Sequence, residues 1–401
     1  MRSCLASSMM RRRVCPIACA ALGAFGASAS GPIELLDGPP LTPPPAWSAP
    51  GPRPTSGVCA NVDPVALAAI LDGAPDERVG VDLREYGLVV ALPHPSGDLV
   101  PCAVASSPMM EPGLRAKFPW MRAYVVQSVD GLASGRIEVT QRGLTGMLRE
   151  AADPGFSDGG AWMIDAWDSG DATTVVAYWL RDLLGGNDWT CHTVVDPADA
   201  SRDPAEAERD AKGTRALQTL RTARFAVACT GEFGAHHSTL QGNPPNVSDP
   251  LAVILTMVSR SNVVYEADLA VRFLLVANND QVVYFDPASD PYPDTCDGLG
   301  GTDCSSPILS ANSGVLNGVI GSSNYDVGHC VTRIAGGVAS LRSPCGTGKA
   351  RGVSGIPRGG DLDPFSALVV IHELGHQFGA NHTFSGTRGR CGNNANLPTA
   401  W

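Results

Sequence analysis

The stretch His372-Glu373-Leu374-Gly375-His376-Gln377-Phe378-Gly379-Ala380-Asn381-His382 decides how the rest of the chain is read. Residues four apart on a helix lie one turn apart on the same face, so His372 and His376 can hold one metal ion together. Glu373 stands beside them, placed to accept a proton from water rather than to bind the ion. Gly379 lets the chain leave the helix in a conformation that a Cβ opposes. The turn then returns His382 as a third ligand. Three imidazoles leave a fourth position open, as a catalytic zinc site requires and a closed structural site does not. Chance places His-Glu-x-x-His in roughly one 400-residue chain per hundred, and Gly379 and His382 at their offsets lower that to about one in 10⁵. A solvated amphipathic helix is the weaker reading.

Working outward, Asp363-Pro364 supplies an N-cap followed by proline in the first turn, which predicts a helix from Phe365 to Phe378 that stops at Gly379. Upstream, residues 224–228 read as a strand and residues 249–262 as an amphipathic helix, with Leu251, Ile254, Leu255 and Val258 on one side. Residues 270–277 and 282–285 are β-like, residues 309–320 helical, and residues 338–341 a short strand. Strands mixed with helices make residues 223–401 an α/β region. The charged, Ala-rich residues 191–222 read as a linker. Residues 57–190 carry short strands punctuated by turns, among them 87–92, 123–126, 136–140 and 173–179, and predict a mostly β domain.

The N-terminus reads as an address. Residues 1–29 hold Arg2, Arg11, Arg12 and Arg13 and no acid, then an uncharged run ending in Ala27-Ser28-Ala29. That is the anatomy of a secretory signal peptide. The expected destination is extracellular, with no membrane attachment after cleavage. The proline-rich residues 30–56 follow as an extended linker. Twenty-nine basic against 40 acidic side chains give a net charge of −11, which argues against a nucleic-acid binder working by phosphate neutralisation. With 44% hydrophobic and 17% charged residues, the chain is neither a disordered tail nor a coiled coil. Of 12 cysteines, Cys4, Cys15 and Cys19 lie in the signal region. The nine others are an odd set in a compartment that permits disulfides.

With these residues in view, the chain resembles the metzincin zinc endopeptidases, whose extended signature is carried by His372 to His382. Its surroundings look like the secreted bacterial reprolysin-like branch, related to the adamalysins. The likeness is carried by residues 221–233, by Tyr265-Glu266-Ala267-Asp268-Leu269-Ala270-Val271-Arg272, by Asn324-Tyr325-Asp326-Val327-Gly328-His329, and by residues 277–280, 349–353 and 375–384. A fainter match at residues 107–110 and 116–119 resembles that family's propeptide-like domain. The resemblance implies a zincin-type α/β fold: a twisted, mostly parallel five-stranded sheet above the metal, with the active-site helix beneath. It implies protein or peptide substrates. Zinc would polarise the scissile carbonyl while Glu373 takes a proton from the attacking water and passes it to the leaving amine. Val338, Ala339, Ser340 and Leu341 would form the edge strand that pairs with an extended substrate. Cys191 reads first as a disulfide partner or an inert thiol; the alternative is a latency thiol, its thiolate filling the zinc's fourth position.

The family places a methionine-containing turn after the third histidine, whereas this sequence has no methionine after Met257 and ends at Trp401. The expectation is a C-terminally truncated enzyme, with Cys345 and Cys391 bridging to or within the missing part. The alternative function is a catalytically impaired scaffold acting as a secreted binding protein. His329 reads as a packed strand residue and His236-His237 as a loop. The acidic residues 286–303 offer carboxylates to calcium but lack ordered ligand spacing, and read as a solvated turn. Asn246-Val247-Ser248 is a glycosylation sequon. Oligomeric state is not legible.

Overall fold

The computed structural model describes residues 31–35, 54–150, 160–168, 170–183, 191–194, 219–293, 305–334, 336–355 and 364–380. Nine strands form an antiparallel sheet: β1 (Ile33–Leu35), β2 (Val58–Val62), β3 (Leu88–Pro93), β4 (Leu99–Ser106), β5 (Arg122–Ser128), β6 (Ala133–Thr140), β7 (Gly143–Glu150), β8 (Ala161–Ala166) and β9 (Thr174–Trp179). Their order is β1-β2-β9-β8-β7-β6-β5-β4-β3, and β3 comes back against β1 and β2. Curling encloses a core of Ile33, Val62, Leu92, Val104, Ile137, Leu148, Trp162 and Ile164. Helix α1 (Pro64–Leu71), capped by the Asp63 carboxylate accepting from the amides of Val65 and Ala66, plugs that core with Leu67 and Leu71. Helix α2 (Pro112–Lys117) follows β4.

The second sheet holds β10 (Cys191–Val194), β11 (Arg221–Cys229), β12 (Val271–Leu275), β13 (Val327–Thr332), β14 (Gly336–Ser340) and β15 (Gly352–Gly355), in the order β10-β14-β15-β13-β11-β12. Every pairing is parallel except β14 with β15. Alternation along β11 sorts its side chains: Phe225, Val227 and Cys229 enter one core, Ala226 and Ala228 the other. The first core is covered by α4 (Ser248–Leu269) and α6 (Pro364–Gln377), the second by α5 (Ser305–Val319). Helix α3 (Gly231–Leu240) lies between β11 and α4.

Helix α4 departs from its expected form. It runs well beyond residue 262, and side chains 249–263 are all buried, so over that span it has no water-facing side. Asp249, Thr256, Ser259, Arg260 and Glu266 share one face, which the first sheet covers, while the buried Asn262 bonds the Phe273 backbone of β12 on the other side. The Thr145 and Thr256 hydroxyls lie 3.4 Å apart. Arg260 pairs with Asp165, which also accepts from Tyr178 Oη at 2.8 Å. Arg136 reaches Glu266 at 2.8 Å. The alternating strand at residues 136–140 accordingly hides its polar side too: Arg136 and Glu138 are buried. The apparent solvent faces of α4 and β6 are each other's partners.

Other expectations are corrected. Residues 282–285 make no strand; Asn279–Val282 is a 3₁₀ turn, and Val283 makes one isolated bridge to Cys229. His236 and His237 lie on α3 rather than in a loop, with His237 buried against Phe233. The expected linker at 191–222 begins as β10, whose backbone pairs with β14. Asn246 caps α4, its Oδ1 accepting from the amides of Ser248 and Asp249. Cys59, Cys102, Cys229, Cys330 and Cys345 carry no disulfide. Cys191 is described in its backbone alone, while Cys296, Cys304 and Cys391 lie outside the described residues. Asp286 and Asp290 of the acidic stretch serve local turns: Asp286 accepts from the Ala288 amide and Asp290 from those of Tyr292 and Gly231.

Candidate metal centre

Helix α6 ends in a Schellman turn. The Ala380 amide bonds Gly375 O and the Gly379 amide bonds His376 O, both at 2.8 Å, with Gly379 at φ 96°. Arg342 lies against Gly379, where a Cβ would come within 2.9 Å of Arg342 Cγ. The turn also has a chemical consequence. Its Ala380 carbonyl lies 2.7 Å from His376 Nδ1. A carbonyl only accepts, so Nδ1 carries the proton and Nε2 keeps a bare lone pair, the tautomer a metal ligand needs.

That lone pair faces the Nε2 of His372, which a metal ion would have to find deprotonated as well. His376 Nε2 lies 2.9 Å from His372 Nε2, and the ligand atoms of His372, Glu373 and His376 all fall within 4.8 Å of one another. Two Zn–N bonds of roughly 2.0–2.1 Å at a tetrahedral angle set their nitrogens about 3.3 Å apart, so a few tenths of an ångström of adjustment accommodates the ion. His372 is half-buried, and His376 and Glu373 are buried. His382 lies outside the described residues.

Glu373 packs on β14. A Cβ at Gly337 would fall 2.2 Å from Glu373 Oε1. The absence of a side chain at Gly337 thus fixes where the carboxylate lies. Gly337→Ala is expected to displace it and lower kcat by about 10²-fold, with bound zinc unchanged. Equal kcat for the variant and the parent would show that the carboxylate has room to spare.

The C-terminal turn of α6 is anchored from below. Gln377 Nε2 donates to Gly328 O at 3.1 Å and Lys349 O at 3.3 Å, which orients its Oε1 toward His329 Nδ1 at 3.0 Å. His329 therefore carries its proton on Nδ1, and Nε2 accepts from Ser354 Oγ at 2.8 Å. Gly352 makes room, since a Cβ there would meet Gln377 Oε1 at 2.3 Å. Above, Tyr265 Oη on α4 donates to Ile371 O at 2.9 Å, and the Tyr265, Phe273 and Phe378 rings pack edge-on.

Full burial pulls His329 down to about 4 from an ordinary 6.5. The folded ring is neutral, while the unfolded ring takes up a proton below pH 6.5. Its contribution is complete above pH 6.5 and is lost as pH falls toward 4, by about 3 kcal/mol. Urea unfolding at pH 7 and pH 4.5 should show a smaller acid loss for His329→Gln than for the parent. An identical loss in both would remove His329 as the cause.

The structure thus brings together His372, Glu373, His376 and Gly379 as the spacing predicts, and seats His329 in a strand. Val338, Ala339 and Ser340 lie in β14, with Leu341 one residue beyond. Their outer edge is not open: β10 pairs with it in parallel, Cys191 opposite Gly337 and His192 opposite Val338. Gly337, Gly352 and the Gln377–His329–Ser354 chain were not singled out from sequence. The Gly336-Gly337 doublet opening an apolar strand is the signal that marks a close approach.

Residues 251–383 match the family of M12B reprolysin-like metallopeptidases. The matched stretch includes α4, β12 to β15, α5 and α6, and takes in all three histidines of the motif. No curated protein matches the chain. The match supports a reprolysin-like metalloprotease domain over that stretch, and with it a zinc metallopeptidase function in general terms.

Proposed function

We propose that the protein is a secreted zinc-dependent metalloendopeptidase, made in a latent form, that hydrolyses internal peptide bonds of proteins. The observation that carries this is the convergence of the His372 and His376 Nε2 atoms beside the buried Glu373. His372 and His376, joined by His382, would hold the zinc, which when bound supplies a Lewis acid for the scissile carbonyl. Glu373 takes the proton from the attacking water and delivers it to the leaving nitrogen. Ala380 holds His376 in its ligating tautomer, and Gly337 sets the carboxylate against β14.

An extended substrate reaches this site by pairing with β14, and β10 occupies that edge. Latency follows from the chain's own strand standing in the substrate's place, with Cys191 at the register position beside Gly337. The division into signal peptide, proline-rich linker, β-rich region and metallopeptidase region is part of the same proposal. The test is cleavage of a quenched peptide library by the purified chain after limited proteolysis. Hydrolysis should stop with a zinc chelator and return with zinc. If the Cys191 thiol adds to the latency that β10 imposes, Cys191→Ser should need less proteolysis than the parent before it hydrolyses the library. If the serine variant needs as much as the parent, the thiol plays no part in latency. If neither form cleaves while both bind zinc, the site is a binding scaffold.

A further inference from the structure

The two sheets are not joined like an enzyme and a removable cover. Met109, Met110, Leu114, Phe118, Met121 and Ala123 from the first region lie in one core with Phe225, Phe273, Leu275, Leu374 and the buried side chains of α4. The edge of β12 is closed by the first region's backbone: the Leu275 amide donates to Met109 O and the Glu111 amide to Leu275 O, both at 2.8 Å. Glu111 Oε2 accepts the Ala277 amide at 2.8 Å. A Cβ at Gly113 would lie 3.0 Å from Ala277 Cβ, so α2 lies directly on the chain that leaves β12.

Charge ties the same surfaces. Arg272 on β12 grips Glu77 through two bonds of 2.7 and 2.8 Å and Glu266 on α4 through two more. Arg136 on β6 is buried and bonds both Glu266 and Ser107. Arg260 and Asp165, one from each region, are both buried. Removing the first sheet would strip α4 of the cover on its polar face and open the apolar core beneath β12.

We infer that residues 54–183 are a permanent structural partner of the metallopeptidase region, so that cutting the chain between the two regions leaves a single two-chain protein rather than a shed pro-segment. The inference does not depend on turnover. It deepens the proposed latency: what must leave for substrate to enter is the four-residue strand β10, not the nine-stranded sheet. Both sheets lie in one compact unit, and β10 holds to β14 by one short ladder.

The test uses the full chain carrying Glu373→Gln to prevent self-cleavage, with a recognition site for a sequence-specific protease inserted within residues 195–218. After complete cutting, the two fragments should co-elute in native buffer at micromolar concentration and after 100-fold dilution, and should separate only in denaturant. Two native peaks, with helical circular dichroism retained by the C-terminal fragment alone, would overturn the inference. A second measurement needs no insertion. In hydrogen exchange of the uncut Glu373→Gln chain, amides of β6 and β7 should share the protection of α4 to within tenfold. If the first sheet opens more than tenfold more readily while α4 stays protected, the two regions are separable and the inference fails.

Discussion

Glu373→Gln is expected to lower peptide hydrolysis by about 10²- to 10⁴-fold, the usual worth of a positioned general base. The amide keeps the carboxylate's shape in the space that Gly337 leaves open, but accepts a proton far less readily. Zinc content should not change, because the spacing of His372 and His376 is set by α6 and the tautomer of His376 by Ala380, rather than by Glu373. His376→Ala should instead release the metal. Parallel measurement of kcat and bound zinc separates the two roles. A glutamine variant that retained full kcat would transfer the proton chemistry to another group and end the assignment.

Asp165→Ala is expected to cost about 3–5 kcal/mol of stability, measured by urea unfolding, since it leaves Arg260 charged and without its carboxylate in the interior. Asp165 and Arg260 are 3% exposed each, and burial alone would pull the guanidinium down. Replacing the whole cluster is a different matter. Asp165→Leu with Arg260→Met and Tyr178→Phe removes both charges and the hydroxyl that donates to Asp165 at 2.8 Å. That variant should stay within about 1–2 kcal/mol of the parent, because apolar replacements of a buried pair are often neutral. Glu138, which burial already pushes above the ordinary carboxylate range, would then be held as the neutral acid. If the single and triple variants lose equal stability, the pair contributes by shape rather than by charge.

The helix that carries His372 and His376 was legible because its signals are local. Asp363-Pro364 and Gly379 mark its ends, and the four-residue spacing of His372 and His376 is a property of any α-helix. The strands at 88–93, 122–128 and 174–179 were legible for the same reason, as alternating apolar runs between turns. Helix α4 was misjudged at its polar face. Periodicity reports that a face is polar but does not say whether water or another polar surface meets it. Arg136, Asp165 and Glu266 carry no mark of burial in a linear sequence, and nothing in their spacing announces that two strands and a helix bring their partners to them. Residues 282–285 looked like a strand from their side chains, yet only Val283 reaches the sheet, by one bridge to Cys229.

The sequence by itself determined which groups stand together: two imidazoles one helical turn apart, a carboxylate beside them, and the glycine at which their helix stops. These depend on residue type and on distances of four to ten positions, which helix and turn geometry convert directly into space. Tertiary structure alone decided access and partnership. Pairing of β10 with the edge of β14, the glycine at 337 that admits the Glu373 carboxylate, and the common core under α4 all join residues far apart in the chain. Their reason is steric and solvational: an edge strand pairs with whatever backbone reaches it, and a polar face is buried only where a complementary one arrives.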